Sequence, residues 1–166
     1  MTGMALDDMR VVDLTEHTVG PFCTRLLADY GADVVKVESP HKGDPSRHMG
    51  PFHGDDPNPE KSALFFFLNC NKRCVTLNLQ SPTGREILKR LVRGADVVVE
   101  SFPPGTLKDL GLAHDTLAET NPRLVTTSVT PFGQYGPYAG YKATEMVLYG
   151  MGGAMCNTGV LDREPI

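Results

Sequence analysis

Short runs of apolar, often β-branched residues alternate along this chain with longer segments in which apolar residues recur every three or four positions. The short runs have the composition of buried strands, and the longer segments have helical spacing. The runs predict strands at residues 10–14, 33–38, 73–79, 96–100 and 124–130. The longer segments predict helices at residues 20–30, 63–68 and 143–151. Another helix is predicted to begin at a Ser81 cap and to end at Gly94. Two short helices are predicted within residues 106–120, the second capped by Asp115.

Alternating strands and helices imply right-handed crossovers and a mostly parallel sheet that is covered by helices on both faces. We therefore predict an α/β fold, with one Rossmann-like, doubly wound domain over residues 1–166. Residues 39–60 break the pattern, because they are rich in proline, glycine, histidine and aspartate. A loop of this length inside a compact domain is usually functional or mobile.

Composition narrows the classes of function. The net charge is −4 and no Lys/Arg cluster is visible, which argues against a nucleic-acid partner. The longest apolar stretch, residues 63–68, is far shorter than the ~20 residues that span a bilayer, and the N-terminus lacks the pattern of a signal peptide. We predict a cytoplasmic protein without a membrane partner. The four cysteines have no metal-ligand spacing, so no metal is predicted.

The ends of the predicted strands carry the candidate chemistry. The run 97–99 is followed by Glu100-Ser101-Phe102-Pro103-Pro104-Gly105, a rigid turn that ends in glycine. In an open α/β sheet, ligands bind at the carboxyl ends of the strands. The loop after the first strand lacks the G-x-G-x-x-G pattern of dinucleotide sites, although Glu38 ends the second strand as an acid should in that fold. An NAD site is therefore disfavoured.

Five stretches in the same order resemble the N-terminal part of class III CoA-transferases, the family of carnitine and formyl-CoA transferases. They are residues 10–15 with 20–24, 26–38 with 43–47, 69–77, 95–102 with 104–105, and 121–124 with 132–138. The resemblance covers essentially the whole chain. It implies transfer of coenzyme A between an acyl-CoA donor and a carboxylic-acid acceptor, by an interlocked homodimer in which each chain threads through the other. It also implies that this chain is the N-terminal part of a longer enzyme.

The same resemblance implies a coenzyme A site at the strand ends. We expect the thioester and pantetheine to lie near the first loop, and cations to lie near the phosphates. The implied contacts are His17, Thr18, Val19, Leu77, Gln80, Ser101, Phe102 and Lys142, with Arg47 and Arg73 as the cations near phosphate. A simpler interpretation stays open for three of them: Arg73 as a solvated charge at a strand end, Phe102 as part of the core, and His17 as an ordinary loop residue.

Two positions depart from the family pattern. Ser101 stands where many members have asparagine, and Asp109 stands where arginine is common. An acid at that second position weakens the attraction for phosphate unless Lys108 substitutes.

The family's nucleophile is an aspartate that forms a mixed anhydride and then an aspartyl-CoA thioester. The resemblance places it shortly after residue 166. Asp162 is the nearest acid, but its surroundings resemble the turn that precedes the nucleophile. Glu145 is the other candidate carboxylate, in a supporting role.

Two other functions remain as alternatives. Related 2-methylacyl-CoA racemases have Gly-His-Asp where this chain has residues 141–145 without histidine, and exchange of an α-proton needs a positioned base. The third hypothesis is a non-catalytic coenzyme A-binding or assembly subunit that a complementing chain would complete.

Overall fold

A five-stranded, all-parallel sheet forms the centre of the protein. The computed structural model describes residues 3–158, and its strand order is β3-β2-β1-β4-β5. The strands are β1 (Arg10–Leu14), β2 (Asp33–Glu38), β3 (Arg73–Thr76), β4 (Val97–Glu100) and β5 (Val125–Ser128). The helices are α1 (Val19–Asp29), α2 (Ala63–Asn69), α3 (Pro82–Val92), α4 (Thr106–Asp109), α5 (His114–Thr120) and α6 (Glu145–Met151). The predicted α/β doubly wound fold is thereby confirmed.

Three element ends differ from the predicted ones. β3 ends at Thr76 and not at Leu79, because the side chain of Asn78 closes a turn by accepting the N–H of Gln80 at 3.0 Å. The predicted cap of α5 is wrong: Ala113 precedes the helix, and Asp115 lies inside its first turn. The last helix begins at Glu145, two residues after the predicted start.

The two faces of the sheet are covered by different helices. On one face Val12, Leu14 and Val98 pack with Leu88 of α3 and Leu117 of α5. On the other face a smaller cluster joins residues of β1, β2 and β4 to the end of α1: Val11, Val34, Val99, Ala28 and Ala32. Burial on both faces explains why the strand sequences are nearly continuous apolar runs.

The strand order reverses direction between β1 and β4. The chain moves outward from β1 through β2 to β3, and then returns to lay β4 and β5 on the other side of β1. At such a switch point the loops after the two central strands diverge and leave a crevice at the carboxyl edge. Here those loops begin at Thr15 after β1 and at Ser101 after β4.

The long polar segment after β2 is folded against this edge. It contains three 3-10 turns, Pro45–His48, His53–Asp55 and Pro59–Lys61. Its last residue before α2, Ser62, caps that helix by accepting the N–H of Phe65 at 3.1 Å. The Ser62 hydroxyl also lies 2.7 Å and 2.6 Å from the carbonyl oxygens of Ser46 and Met49. These bonds tie the end of the segment to its first 3-10 turn.

Candidate functional site

Two adjoining cavities occupy the crevice at the carboxyl edge. The first, here called the β3-side cavity, has a volume of about 200 Å³ and lies above β1, β2 and β3. The second, the β5-side cavity, has a volume of about 750 Å³ and lies between the loop after β1, the loop after β5 and α6. Glu16 lines both cavities, so they adjoin at this residue, and the two together are called the groove below.

Most of the residues predicted for the site meet in this groove. The β3-side cavity is lined by Leu77, Gln80 and Phe102. The β5-side cavity is lined by His17, Thr18, Val19, Ser101 and Glu145. Residues far apart in sequence thus share one surface, because successive parallel strands end at the same edge. Lys142 is exposed beside the β5-side cavity, next to Ala143, which lines it.

The structure does not bring Arg73 to this groove, which corrects the expectation that it lies with the other site residues. Arg73 begins β3, so it stands at the amino edge of the sheet, opposite the crevice. Its Nη2 lies 2.6 Å and 2.7 Å from the two carboxylate oxygens of Asp33, and its side chain is 69% exposed. The simpler interpretation of Arg73, a solvated charge at a strand end, agrees with this placement.

Arg47 lines neither cavity of the groove, and carboxylates and an aromatic ring already surround its guanidinium. Nε and Nη2 donate to the two oxygens of Glu38 at 2.7 Å and 2.8 Å, and Nη1 donates to Glu60 at 3.0 Å. The guanidinium carbon lies 3.7 Å from the centre of the Phe65 ring. The hydrogen bonds to Glu38 raise the pKa of Arg47. Arg47 thus fastens the long segment after β2 to the end of β2.

Two buried lysines lie beneath the groove, and the sequence analysis assigned neither to the site. Lys36 Nζ lies 2.8 Å from Asp44 Oδ2 and donates to the carbonyl of Thr15 at 2.8 Å. Lys72 Nζ lies 3.0 Å from Asp13 Oδ2 and also donates to the carbonyl of Pro21 at 2.8 Å. A signal for Lys36 was visible, since a lysine between two valines of a strand has to find a buried partner.

The acids of this network are held in the charged form. Burial raises the pKa of Asp44, but the Lys36 charge and hydrogen bonds from Lys36 and Ser46 outweigh it, so the pKa lies below its ordinary value. For Glu38, burial is likewise outweighed by the Arg47 hydrogen bond and the N–H of Asp44, and its pKa is lowered. Burial lowers the pKa of Lys72, with Asp13 opposing the shift.

The loop after β1 has a constrained shape that aims it into the groove. His17 has φ +68°, in the left-handed region that residues with a Cβ seldom adopt. Glu16 N donates to Ser101 Oγ at 2.8 Å, which ties the loop to the one after β4. Gly20 opens α1 against Thr15 so closely that a Cβ at position 20 would overlap the Thr15 side chain. The hydrogen bond from Glu16 N also gives a structural role to Ser101, the position at which many family members have asparagine.

Some groove residues escaped sequence analysis. Glu16, Ser39, Asn78, Thr130 and Thr144 line the cavities without having been predicted. Each is polar and follows a strand or precedes a helix, but polar loop residues are common and nothing in their type marks them. Within residues 3–158 no cluster of three or more His, Cys, Asp or Glu is placed to hold a metal ion. The same range has no helix long and apolar enough to cross a membrane.

Comparison with known proteins identifies the family to which this chain belongs. The profile of CoA-transferase family III matches residues 6–166, and the chain belongs to this family. A formyl-CoA:oxalate CoA-transferase from Streptomyces coelicolor is 48% identical over 166 residues, which are 100% of this chain and 39% of that protein. A succinyl-CoA–D-citramalate CoA-transferase from Chloroflexus aurantiacus is 42% identical over 160 residues, 96% of this chain and 39% of that protein.

Solved structures agree with the sequence relatives. A CaiB/BaiF family protein from Brucella suis superposes with a TM-score of 0.89 at 40% identity, covering 99% of this chain and 43% of that one. Rv3272 from Mycobacterium tuberculosis superposes with a TM-score of 0.85 at 32% identity, covering 99% of this chain and 45% of that one. The chain therefore spans about two fifths of the length of the relatives it matches. The predicted resemblance to class III CoA-transferases is confirmed.

Proposed function

We propose that this chain forms the coenzyme A-binding part of a class III CoA-transferase, which moves coenzyme A from an acyl-CoA donor to a carboxylic-acid acceptor. The observation that carries the proposal is the groove of two adjoining cavities at the strand switch point, where residues from the loops after β1, β3 and β4 meet. Membership of a family whose relatives are named CoA-transferases supports the same conclusion.

The coenzyme would lie along the groove with its two ends in different surroundings. The ring of Phe102 and the side chains of Leu77 and Gln80 offer a surface for the nucleotide end in the β3-side cavity. The larger β5-side cavity, beside His17, Thr18 and Val19, would take the pantetheine and the thioester. Lys142, exposed beside it, and Lys108, on α4, are cations that could approach phosphate.

The chemistry would use an aspartate nucleophile placed by residues that follow Ile166. Its carboxylate attacks the acyl-CoA carbonyl and expels the coenzyme A thiolate, leaving a mixed anhydride. The thiolate then attacks the aspartyl carbonyl, which releases the donor acid and forms an aspartyl-CoA thioester. The acceptor carboxylate attacks that thioester, which expels the thiolate and forms a second mixed anhydride. The thiolate then attacks the acceptor carbonyl of this anhydride, which forms the product acyl-CoA and releases the aspartate carboxylate. Asp162 lies outside the described residues, and Glu145 stands at the β5-side cavity in a supporting role.

The proposal includes a partner and a location. A second copy of the whole protein, interlocked with the first, would cover the apolar surface that this chain exposes on α1, α2 and α6: Phe22, Leu26, Phe66, Phe67, Met146 and Met151. Exposed apolar area of this kind commonly marks an interface. The acyl-CoA and carboxylic-acid substrates suit a cytoplasmic enzyme.

The experiment compares this chain with a version extended past Ile166. Calorimetry with coenzyme A measures binding by both, and intact-mass spectrometry after incubation with acyl-CoA detects covalent intermediates. We expect both chains to bind and only the longer one to carry an aspartyl adduct. Binding by both without an adduct would favour the non-catalytic subunit, and exchange of an α-proton with deuterated water would favour the racemase. Failure of both chains to bind would refute the proposal.

A further inference from the structure

The conformation of the loop after β1 needs support from outside the loop. His17 has φ +68°, yet its side chain, like those of Thr18 and Val19, is exposed toward the β5-side cavity. A left-handed histidine persists only where surrounding contacts determine it. The core clusters give no such support, because they contain no residue of the segment 16–19.

The carboxylate of Asp44 supplies this support. Its Oδ1 accepts the backbone N–H of His17 at 3.3 Å and that of Ser46 at 2.8 Å, so one group joins the loop after β1 to the segment after β2. Its Oδ2 lies 2.8 Å from Lys36 Nζ. The Asp44 and Lys36 side chains are 1% and 0% exposed. This buried ion pair fixes the position of the Asp44 carboxylate, because separating two opposite charges away from water is costly.

Lys36 completes the arrangement from the start of the loop. Its Nζ donates to the carbonyl of Thr15 at 2.8 Å while it holds Asp44, so the pair contacts the loop at Thr15 and again at His17. Glu16 lies between these two points and lines both cavities. A shift of the pair would therefore move the part of the groove where the cavities join.

We propose that Lys36 and Asp44 are positioning residues that hold the segment Thr15–His17 in the shape required to bind the pantetheine end of coenzyme A. The inference rests on the proposed function for its ligand, but the loop geometry on which it depends is independent of any ligand. The pair touches no cavity surface itself, since neither residue lines the groove.

The second buried lysine provides a matched control. The Lys72 side chain is also 0% exposed and is also paired with a buried aspartate, Asp13. Its other acceptors are the carbonyl of Pro21 and the side chain of Asn69, in α1 and α2. Replacing Lys72 therefore removes a buried lysine that makes no direct contact with residues 15–19. Its partner Asp13 remains and still accepts the N–H of Thr15 at 2.9 Å, so the loop keeps that contact in the control.

The test compares Asp44→Asn and the double variant Lys36→Met with Asp44→Asn against Lys72→Met. The double variant leaves no unpaired buried charge at the pair, so it remains usable if a single replacement fails to fold. Calorimetry measures binding of coenzyme A and of adenosine 3′,5′-bisphosphate, which has the nucleotide end only. We expect both pair variants to bind coenzyme A about tenfold more weakly, which corresponds to the loss of one charge-assisted contact. We expect their affinity for the bisphosphate to stay unchanged.

For Lys72→Met we expect the two affinities to change together. A parallel loss for both ligands in the pair variants would overturn the inference.

Amide hydrogen exchange without ligand separates this inference from the proposed function. We expect exchange at the His17 amide to be faster in the pair variants than in the unmodified chain and in Lys72→Met, since its acceptor is weakened or displaced. Unchanged exchange at His17 would overturn the inference even if coenzyme A binds. Faster exchange in a chain that binds no coenzyme A would leave the positioning role intact and refute the proposed function alone.

Discussion

At the scale of single residues, the groove depends on ionised groups that are removed from water. Glu38 and Asp44 each keep a charge at the end of β2 because Arg47 and Lys36 lie within hydrogen-bond distance. The Lys36–Asp44 pair is fully buried, whereas Lys61 and Asp56, 5 residues apart in the same segment, pair at the surface. Burial makes the first pair expensive to break, because a lone partner would remain charged without solvent.

We expect acid to unfold the protein partly through these two carboxylates. Their folded-state pKa values lie below the ordinary ones, so their stabilising effect is present above pH about 4 and is lost as the pH falls through the folded-state values. Asp44→Asn should lower the free energy of unfolding at pH 7 by about 3 kcal/mol and flatten its dependence on pH below about 5. Urea unfolding at several pH values measures both effects.

The surface pair serves as the control for that experiment. Asp56→Asn removes a carboxylate that is 55% exposed, so we expect a change below about 1 kcal/mol and an unaltered acid slope. Equal effects of the two replacements would show that burial of Asp44 does not determine the acid response.

Phe102 is the aromatic residue of the β3-side cavity, and its role in binding can be tested directly. We expect Phe102→Ala to weaken coenzyme A binding about tenfold through loss of packing against the nucleotide end. Phe66→Ala is the control, because Phe66 is 74% exposed on α2 and lines neither cavity. Phe102 also packs against the core, so thermal unfolding should accompany the calorimetry. Unchanged affinity in a folded Phe102→Ala chain would assign this ring to the core alone.

At the scale of elements, α3 shows how the groove is supported from below. Ser81 caps the helix by accepting the N–H of Gly84 at 3.0 Å, and Pro82 occupies its first turn. Gly84 lies so close to the carbonyl of Asn78 that a Cβ there would overlap it. This approach fixes the turn that presents Leu77 and Gln80 to the β3-side cavity.

The two faces of α3 should respond differently to truncation. Leu88 is 0% exposed in the core, so Leu88→Ala should lower the free energy of unfolding by about 3 kcal/mol through lost burial and a cavity. Ile87, its neighbour, is 41% exposed, and Ile87→Ala should cost less than about 1 kcal/mol. Chemical denaturation gives both values. Similar costs would mean that α3 does not pack as the structure shows.

At the scale of the whole molecule, residues 3–158 leave the apolar side chains of α6 largely uncovered. Its large side chains are all at least partly open to solvent, with Met146 at 68% and Met151 at 56%. A helix with apolar residues around its circumference is normally buried. Since the chain spans about two fifths of its relatives' length, we propose that the rest of the protein or a second copy covers this helix.

We therefore expect this chain alone to bind a hydrophobic dye such as ANS more strongly, per molecule, than a version extended to the full length of its relatives. Replacing Met146 and Met151 with glutamine should reduce the dye signal of the short chain without lowering its thermal midpoint by more than about 2 °C. Equal dye binding by the short and extended chains would argue that α6 stays exposed in the whole protein.

Much of the fold was determined by local sequence. The bounds of β1 and β2 agree with the predicted ones, because polar residues mark the ends of their apolar runs: Arg10 and Thr15 for β1, and Asp33 and Ser39 for β2. The end of β3 and the start of α5 were predicted less well, because Asn78 and Ala113 act through local hydrogen bonds and dihedral angles that periodicity does not contain.

By itself, the sequence determined the alternation of strands and helices, the family, and the strand-end residues that line the groove. These follow from short-range periodicity and from motifs that are contiguous in the chain. Only the tertiary structure decided that Arg73 lies at the opposite edge, bound to Asp33, and that Lys36 and Asp44 hold the loop at His17. The physical reason is that strand direction and strand order decide which end of a strand meets the groove, and that a buried charge is defined by partners distant in sequence.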